Sequence, residues 1–350
     1  MPIFDISKIQ RPEILKALQL RDKLRDQATT EFFNDEKNQV INFPSLWEKV
    51  TEGNIRWFND EDTQGLLSME EMLFIAKQHR FVVEYRSNYH QKHASFMKEV
   101  NIELVDANGV PAEWEIFPEV AEDKVILYFH GGGYIMGSPN FTRLISVRLG
   151  MTTKICVLSI DYRLAPEHPY PKGLEDCITS YKWLLSKGLD PKNIIISGDS
   201  GGGYYTLMTL ITLRNRGLPL PAGAIVFSPA TDLAMTSDSF KTNSSTDPIL
   251  ADLGIYWWVE CYLAGANPFS PEVSPLYADL KILPPILIQA STSEMLFDDA
   301  RKFFEKAKNA GVEATLQTWD DTLHEFQIYD LPESEEAFSK AREFVEKLLK

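Results

Sequence analysis

The chain has 350 residues, 44% of them hydrophobic, and a formal net charge of -15. That length and apolar share support one large core with an appended lid or small second domain, and exclude a disordered or fibrous chain. The acidic balance argues against sequence-independent binding to nucleic acid or to an anionic membrane, because both need a basic surface.

Met1 to Gln10 lacks the basic flank and apolar stretch of a secretory leader, and no later segment approaches the roughly 18 uninterrupted apolar residues of a membrane span. A soluble, cytoplasmic protein without stable membrane insertion is expected. Cys156, Cys177 and Cys261 are odd in number and widely spaced, which suits free thiols better than a disulfide framework. None has C-x-x-C spacing, so neither a metal nor a redox centre is expected.

Residues 1–96 are charged, helical in pattern and without strand alternation, and are expected to form a helical cap region. Ser68-Met69-Glu70-Glu71 has the form of a capping box, followed by an apolar stripe through Met69, Met72, Leu73 and Ala76. His79, His90 and His93 fall in this region and are expected at solvated surface positions.

From residue 97 to 350, strand-like and helix-like segments alternate, the pattern of a mostly parallel sheet with helices on both faces. Val100 to Val105 and Ala112 to Phe117 flank an Ala107-Asn108-Gly109 turn and predict an antiparallel start. Strands follow at Lys124 to Phe129, Ile155 to Ile160, Asn193 to Ser197, Ala222 to Phe227, Pro285 to Ala290 and Glu313 to Trp319. Helices are predicted over Phe141 to Leu149 and Leu174 to Leu185, from Ser200 through Leu213, and after each of the last two strands. An insertion over about 233–274, with a polar opening and then Tyr256-Trp257-Trp258, is expected to join residues 1–96 as a cap over the mouth of the sheet.

Ester cleavage needs a nucleophile held clear of the backbone ladders, a base to take its proton, and donors aimed at the developing oxyanion. Gly198-Asp199-Ser200-Gly201-Gly202 fits G-x-S-x-G where an apolar strand ends and a long helix begins, so Ser200 is the candidate nucleophile and the Gly201 amide lies at a helix N-terminus. A glycine-rich turn with an incidental serine is the alternative. His130-Gly131-Gly132-Gly133 ends a strand abruptly. Its glycines let the loop approach closely and point successive N–H groups at one oxygen. His130 itself is expected to bond within that loop rather than act as a base.

In the nucleophile, acid, histidine order of such folds, His324 is the candidate base, since His168 lies in a rigid proline loop upstream of Ser200. The acid should come from Ser291 to Asp299. Asp298 and Asp299 stand where acids cap a helix in any case. Glu294 has no such local explanation and is preferred, with Asp298 kept as the alternative. Tyr134, Met136, Tyr204, Trp257 and Trp258 are candidate walls of an apolar acyl or alcohol pocket, although each would also serve as ordinary core.

Together these residues resemble the hormone-sensitive lipase-like carboxylesterases, also called bacterial family IV, of the α/β-hydrolase superfamily. The match runs over about 97–350 and is carried by His130-Gly131-Gly132-Gly133, Asp161-Tyr162-Arg163-Leu164-Ala165-Pro166-Glu167, Gly198-Asp199-Ser200-Gly201-Gly202, Ser274-Pro275-Leu276-Tyr277 and His324-Glu325-Phe326. The resemblance implies an eight-stranded sheet, a cap built from both extra segments, and oxyanion donors at Gly132, Gly133 and Gly201. It implies a small-molecule ester as substrate, no cofactor, and a homodimer through the sheet edge at Glu313 to Trp319 as an option. Two departures stand out: Glu294-Met295-Leu296-Phe297-Asp298 replaces the usual Asp-Pro-Leu-x-Asp, and Gly201 replaces the common alanine. The same machinery on amides or lactones is one alternative. The other is a non-catalytic ligand binder, like the plant hormone receptors of this family that have lost the histidine; retention of both Ser200 and His324 speaks against it.

Overall fold

A computed structural model of the chain describes residue 9 and residues 11–39, 41–59, 61–63, 65–251 and 254–349. Apart from Ile9, the stretch Met1 to Gln10 considered for a leader lies outside the described residues.

Eight strands form one sheet: β1 (Asn101–Asp106), β2 (Pro111–Ile116), β3 (Ala121–Phe129), β4 (Ile155–Ile160), β5 (Ile194–Asp199), β6 (Gly223–Phe227), β7 (Ile286–Ser291) and β8 (Ala314–Trp319). Their spatial order is β1-β2-β4-β3-β5-β6-β7-β8. The β1–β2 and β2–β4 pairs are antiparallel and the other five are parallel. The first hairpin closes on Asn108 and Gly109, both at positive φ (63° and 89°), as a type I′ turn requires. Gly109 N also donates to Asp106 Oδ1 at 2.6 Å.

Both faces of the sheet are covered, as buried parallel strands demand. Leu127 and Phe129 of β3 point into the larger core, with α5 (Lys172–Ser186), α6 (Gly201–Asn215) and α9 (Phe297–Asn309). Ile126 and Tyr128 point the other way, into a core shared with α4 (Pro139–Thr153) and α10 (Pro332–Leu348). Strand alternation thus sends consecutive side chains into different layers.

Ahead of the sheet lie α1 (Pro12–Asn34), α2 (Phe43–Phe58) and α3 (Met69–His93); the 233–274 insertion adds α7 (Ser239–Thr242) and α8 (Ile255–Leu263). The two segments meet. Gly53 of α2 lies so close to Tyr256 of α8 that a Cβ there would sit 2.0 Å from the phenolic oxygen, and the Cys261 thiol lies 3.0 Å from Met72 Sδ. At the start of α3 the capping box is present, with Ser68 Oγ accepting from Glu71 N and Glu71 accepting from Ser68 N.

The apolar face of α3 differs from the predicted stripe. Met69 and Leu73 are exposed, while Met72, Ile75, Ala76, His79, Val82 and Val83 turn inward. The helix runs 25 residues and its packed face is set by the later turns; Met69, in the first turn, lies beyond the neighbours that would cover it. His79 is therefore buried, not solvated, and burial pulls its pKa down to about 4. His93 is exposed and His90 half-buried. Arg80 fastens α3 to the core: Nε donates to Ile135 O at 2.7 Å, Nη2 to Ala165 O at 2.8 Å, and the guanidinium pairs with both oxygens of Glu167.

Candidate active site

Ser200 stands between the end of β5 and the first residue of α6, with φ 50° and ψ -115°. A non-glycine residue at positive φ costs roughly 1–3 kcal/mol and persists only where its surroundings enforce it. Here Ser200 N donates to Phe227 O at 2.8 Å, and Ser200 O accepts from Tyr204 N at 3.1 Å. The flanking glycines have no substitute: a Cβ on Gly198 would lie 2.4 Å from Gly202 O, and one on Gly202 1.9 Å from Phe129 O.

The loop after β3 approaches this bend from the side. Gly132 and Gly133 have φ of 114° and 58°, and a Cβ on Gly201 would lie 3.4 Å from Gly133 N, so the loop and the helix N-terminus nearly touch. His130 bonds within the loop, as expected: its Nδ1 lies 2.7 Å from Gly131 O, and its ring stacks on Tyr162 at 4.0 Å and 10°. Gly131 faces away from the cavity, toward the Asp199 and Glu325 carboxyl groups.

Three side chains far apart in sequence form one hydrogen-bonded line. His324 Nε2 lies 3.0 Å from Ser200 Oγ, and His324 Nδ1 lies 2.6 Å from Glu294 Oε2. All three residues are buried. The other Glu294 oxygen accepts from Ser291 N at 3.2 Å, which fixes the carboxylate in the turn after β7. Asp298, the alternative acid, points elsewhere: it binds Arg301 at 2.8 Å and accepts from Ser239 N. The Nδ1 contact to a carboxylate places a proton on Nδ1 and leaves Nε2 as the acceptor facing the serine.

The charge around His324 favours its protonated form. Burial acts against the imidazolium, yet the Glu325 and Glu294 carboxylates outweigh it and hold the pKa up at about 9. Burial also raises the Glu294 carboxyl above its usual range, with His324 opposing. Deeper still, Tyr128 donates its hydroxyl to Asp199 Oδ1 at 2.6 Å.

Ser200 and His324 open into a cavity of about 720 Å³ whose wall includes Gly132, Gly133, Met136 and Trp258. Its far walls come from α1, α2, α3 and the chain around 248–251. The expected pocket residues thus divide. Met136 and Trp258 line the cavity; Tyr134, Tyr204 and Trp257 do not. Tyr134 and Tyr204 are locked in an aromatic cluster with Tyr205 and Tyr262, at centroid distances of 4.3–5.9 Å, and belong to the core beneath the site. Trp257 turns its ring toward Gly254 and, edge-on at 5.8 Å, toward His79.

Comparison with known proteins agrees with this geometry. A family model described as alpha/beta hydrolase fold matches residues 126–328. An acetyl-hydrolase of Streptomyces hygroscopicus is 37% identical over 245 residues, spanning 69% of this chain and 82% of that protein. An esterase of Acinetobacter venetianus is 36% identical over 252 residues, spanning 71% and 83%. A crystal structure of an esterase from the bacterial hormone-sensitive lipase family matches with a TM-score of 0.75 at 37% identity, covering 88% of this chain and 99% of that one. The chain belongs to the hormone-sensitive lipase-like carboxylesterases. It is an ester-hydrolysing enzyme of the α/β-hydrolase superfamily.

In this carboxylesterase the other shared motifs brace the site. Tyr162 donates its hydroxyl to His130 O at 2.6 Å, and Ala165 N donates to Tyr134 O at 2.9 Å, so Asp161-Tyr162-Arg163-Leu164-Ala165 clamps the glycine loop from both ends. Leu276 N donates to Thr231 O at 3.0 Å, while Ser274 Oγ bonds Leu233 N and Pro268 O, closing the base of the insertion. Sequence reasoning missed Asp247. Its Oδ2 accepts from Met295 N at 2.8 Å, and Oδ1 accepts from the amides of Ile249 and Leu250, so it pins the Glu294 turn to the segment at 247–250. A lone aspartate in a polar stretch carries no signal of such a task. Glu325 lies beside His324, and in the sequence its only signal is a second acid next to the histidine.

No helix among the described residues is long and apolar enough to cross a membrane.

Proposed function

We propose that this enzyme hydrolyses carboxylic esters of small to medium size by two-step acyl transfer. Ser200 Oγ attacks the ester carbonyl carbon while His324 Nε2 takes its proton. The amides of Gly132, Gly133 and Gly201 hold the oxyanion, and Glu294 stabilises the imidazolium without taking the proton. Collapse of the tetrahedral species returns that proton to the leaving alkoxide and releases an alcohol. Water, deprotonated by His324, then cleaves the acyl-serine to free the carboxylic acid. These steps call on no metal and no organic cofactor.

The observation that carries the reading is the unbroken line Ser200–His324–Glu294, at 3.0 and 2.6 Å. A cavity of about 720 Å³ supports esters of modest size. We further take 1–96 and about 233–274 to be a cap on a catalytic domain spanning 97–350. The three free thiols fit a reducing, cytoplasmic setting, and the β8 edge would serve a homodimer.

The test is covalent labelling with a fluorophosphonate, followed by peptide mapping, alongside turnover of short and long p-nitrophenyl esters. Labelling on Ser200 with preference for short chains is expected. Label on another residue overturns the nucleophile assignment, and preference for long chains overturns the size range.

A further inference from the structure

The cavity that holds Ser200 also holds a cationic group that the acyl-transfer steps do not use. On α3, His79, Val82, Val83 and Arg86 recur at helical spacing and all line the cavity. On the neighbouring α1, Arg21, Arg25 and Thr29 do the same. Three guanidinium groups therefore come together from two helices, and their partners differ. Arg21 Nη1 donates to Pro248 O at 2.6 Å, and its Nε and Nη2 bind Asp22 Oδ1 at 3.1 and 2.9 Å. Arg25 lies 3.4 Å from Asp22 and 3.6 Å from Asp26. Arg86 has no acceptor and no ion pair among the described residues, and its Nε is sealed from solvent without a hydrogen bond.

Arg86 as a whole is half-buried, but a guanidinium nitrogen shut off from water without an acceptor carries a desolvation cost that a ligand on the group would offset. The surroundings supply no other answer. The acids around this part of the cavity have other partners: Asp22 binds Arg21 and Arg25, Asp26 pairs with Arg25, and Glu325 faces the space beneath Gly131. Tyr329, which also lines the cavity, is raised above the usual phenol range by burial and stays neutral. Burial above all, with Arg21 and Arg25 adding, lowers the Arg86 pKa to about 10, which leaves it cationic at neutral pH.

We infer that Arg86 is a specificity residue that receives a carboxylate carried by the ester substrate, so that the preferred substrates are half-esters or other esters with one acidic arm. The inference rests on the proposed hydrolysis at Ser200 and names the substrate class of that same cavity. A carboxylate fits better than a phosphate, because the planar fork of a single guanidinium offers two parallel donors and one compensating charge. Part of the desolvation of Arg86, at Nε, is already incurred by the fold, so an incoming anion gains a charge-assisted contact at a partly dehydrated group.

The test compares esters that differ only in charge. On the acyl arm, p-nitrophenyl hemisuccinate is paired with p-nitrophenyl isocaproate, where an isopropyl group replaces the carboxylate. On the alcohol arm, para-acetoxybenzoate is paired with para-isopropylphenyl acetate. The readout is the ratio of kcat/KM within each pair, after subtraction of uncatalysed hydrolysis, for the wild-type enzyme, Arg86→Met and Arg86→Lys. In at least one pair the anionic-to-neutral ratio is expected to fall at least about tenfold in Arg86→Met and to be partly restored in Arg86→Lys. Methionine keeps the apolar stem without the buried charge, so the variant is expected to fold. Equal ratios in the wild type and Arg86→Met in both pairs overturn the inference while leaving ester hydrolysis standing. Calorimetric binding of monomethyl succinate to Ser200→Ala, with and without Arg86→Met, answers independently of turnover. Weaker binding without the arginine supports the inference and equal binding overturns it. Esterase activity of Ser200→Ala close to the wild-type level counts against the nucleophile assignment instead.

Discussion

The carboxyl groups of Asp199 and Glu325 converge behind Gly131, where a Cβ would lie 2.2 Å from Asp199 Oδ2 and 2.5 Å from Glu325 Oε1. Neither oxygen has a hydrogen-bond donor among the described residues. Burial first, and then the neighbouring Glu325 carboxylate, lift the Asp199 carboxyl well above its ordinary range. Glu325 also faces His324, whose Nε2 is 3.9 Å from Glu325 Oε1 and whose pKa it helps to hold up. Glu325→Gln is therefore expected to move the rising limb of the kcat/KM profile to lower pH; an unmoved limb would show that Glu325 does not tune the histidine.

The wild-type profile follows from the same balance. His324 accepts the serine proton only when neutral, and its pKa is held up at about 9. Initial rates on a neutral ester are expected to rise with pH and reach half their plateau near that value. Stability runs the opposite way: a histidine whose folded pKa exceeds its unfolded value of about 6.5 stabilises the fold fully below that value. The contribution is lost as pH climbs toward 9. Thermal midpoints falling over the interval in which activity rises would meet both expectations; a rate plateau reached by pH 7 would contradict them.

The two candidate acids separate cleanly by substitution. Glu294→Gln is expected to lower kcat on the order of 10³–10⁴-fold, because the amide no longer fixes the tautomer or balances the imidazolium. Asp298→Asn breaks an ion pair to the half-exposed Arg301 and should change kcat by less than about tenfold. Ser200→Ala and His324→Ala should each cost on the order of 10⁵-fold, and the double variant little more than either alone. Steady-state kinetics on one activated ester checks all five variants.

Glycines at the mouth differ in what they tolerate. A Cβ on Gly133 would meet Trp258 Cε3 at 2.1 Å from a residue at φ 58°, whereas on Gly201 the nearest atom is Tyr134 Cε1 at 3.3 Å and φ is not positive. Gly133→Ala is expected to destabilise by about 1–3 kcal/mol and to lower kcat by displacing the loop. Gly201→Ala should retain most activity. Urea melts and kcat for the pair decide it.

Strand runs and turn residues made the sheet legible in the sequence, because alternation and apolar runs are local properties: Ile155 to Ile160 was placed to the residue, and the Asn108–Gly109 hairpin by its turn chemistry. Ser200 and the glycine loop were legible for the same reason, being short motifs at strand ends. What sequence left open was long-range. Glu294 and Asp298 differ by one helical turn, and only the direction of the chain after β7 sets one against His324. His79, Tyr204 and Trp257 were misplaced because aromatic and imidazole rings suit a core, a surface and a pocket wall alike; packing partners decide, and those lie over a hundred positions away for His79 and Trp257.

The cavity draws its walls from residue 21 through to residue 329, interleaving the earliest helix with the loop that follows the last strand. During synthesis, then, the serine bend and its glycine loop emerge well ahead of their imidazole, which must wait until β8 has joined the sheet. On the proposed roles of Ser200 and His324, the growing polypeptide carries an unarmed hydroxyl, and reactivity switches on only when the finished architecture closes upon itself.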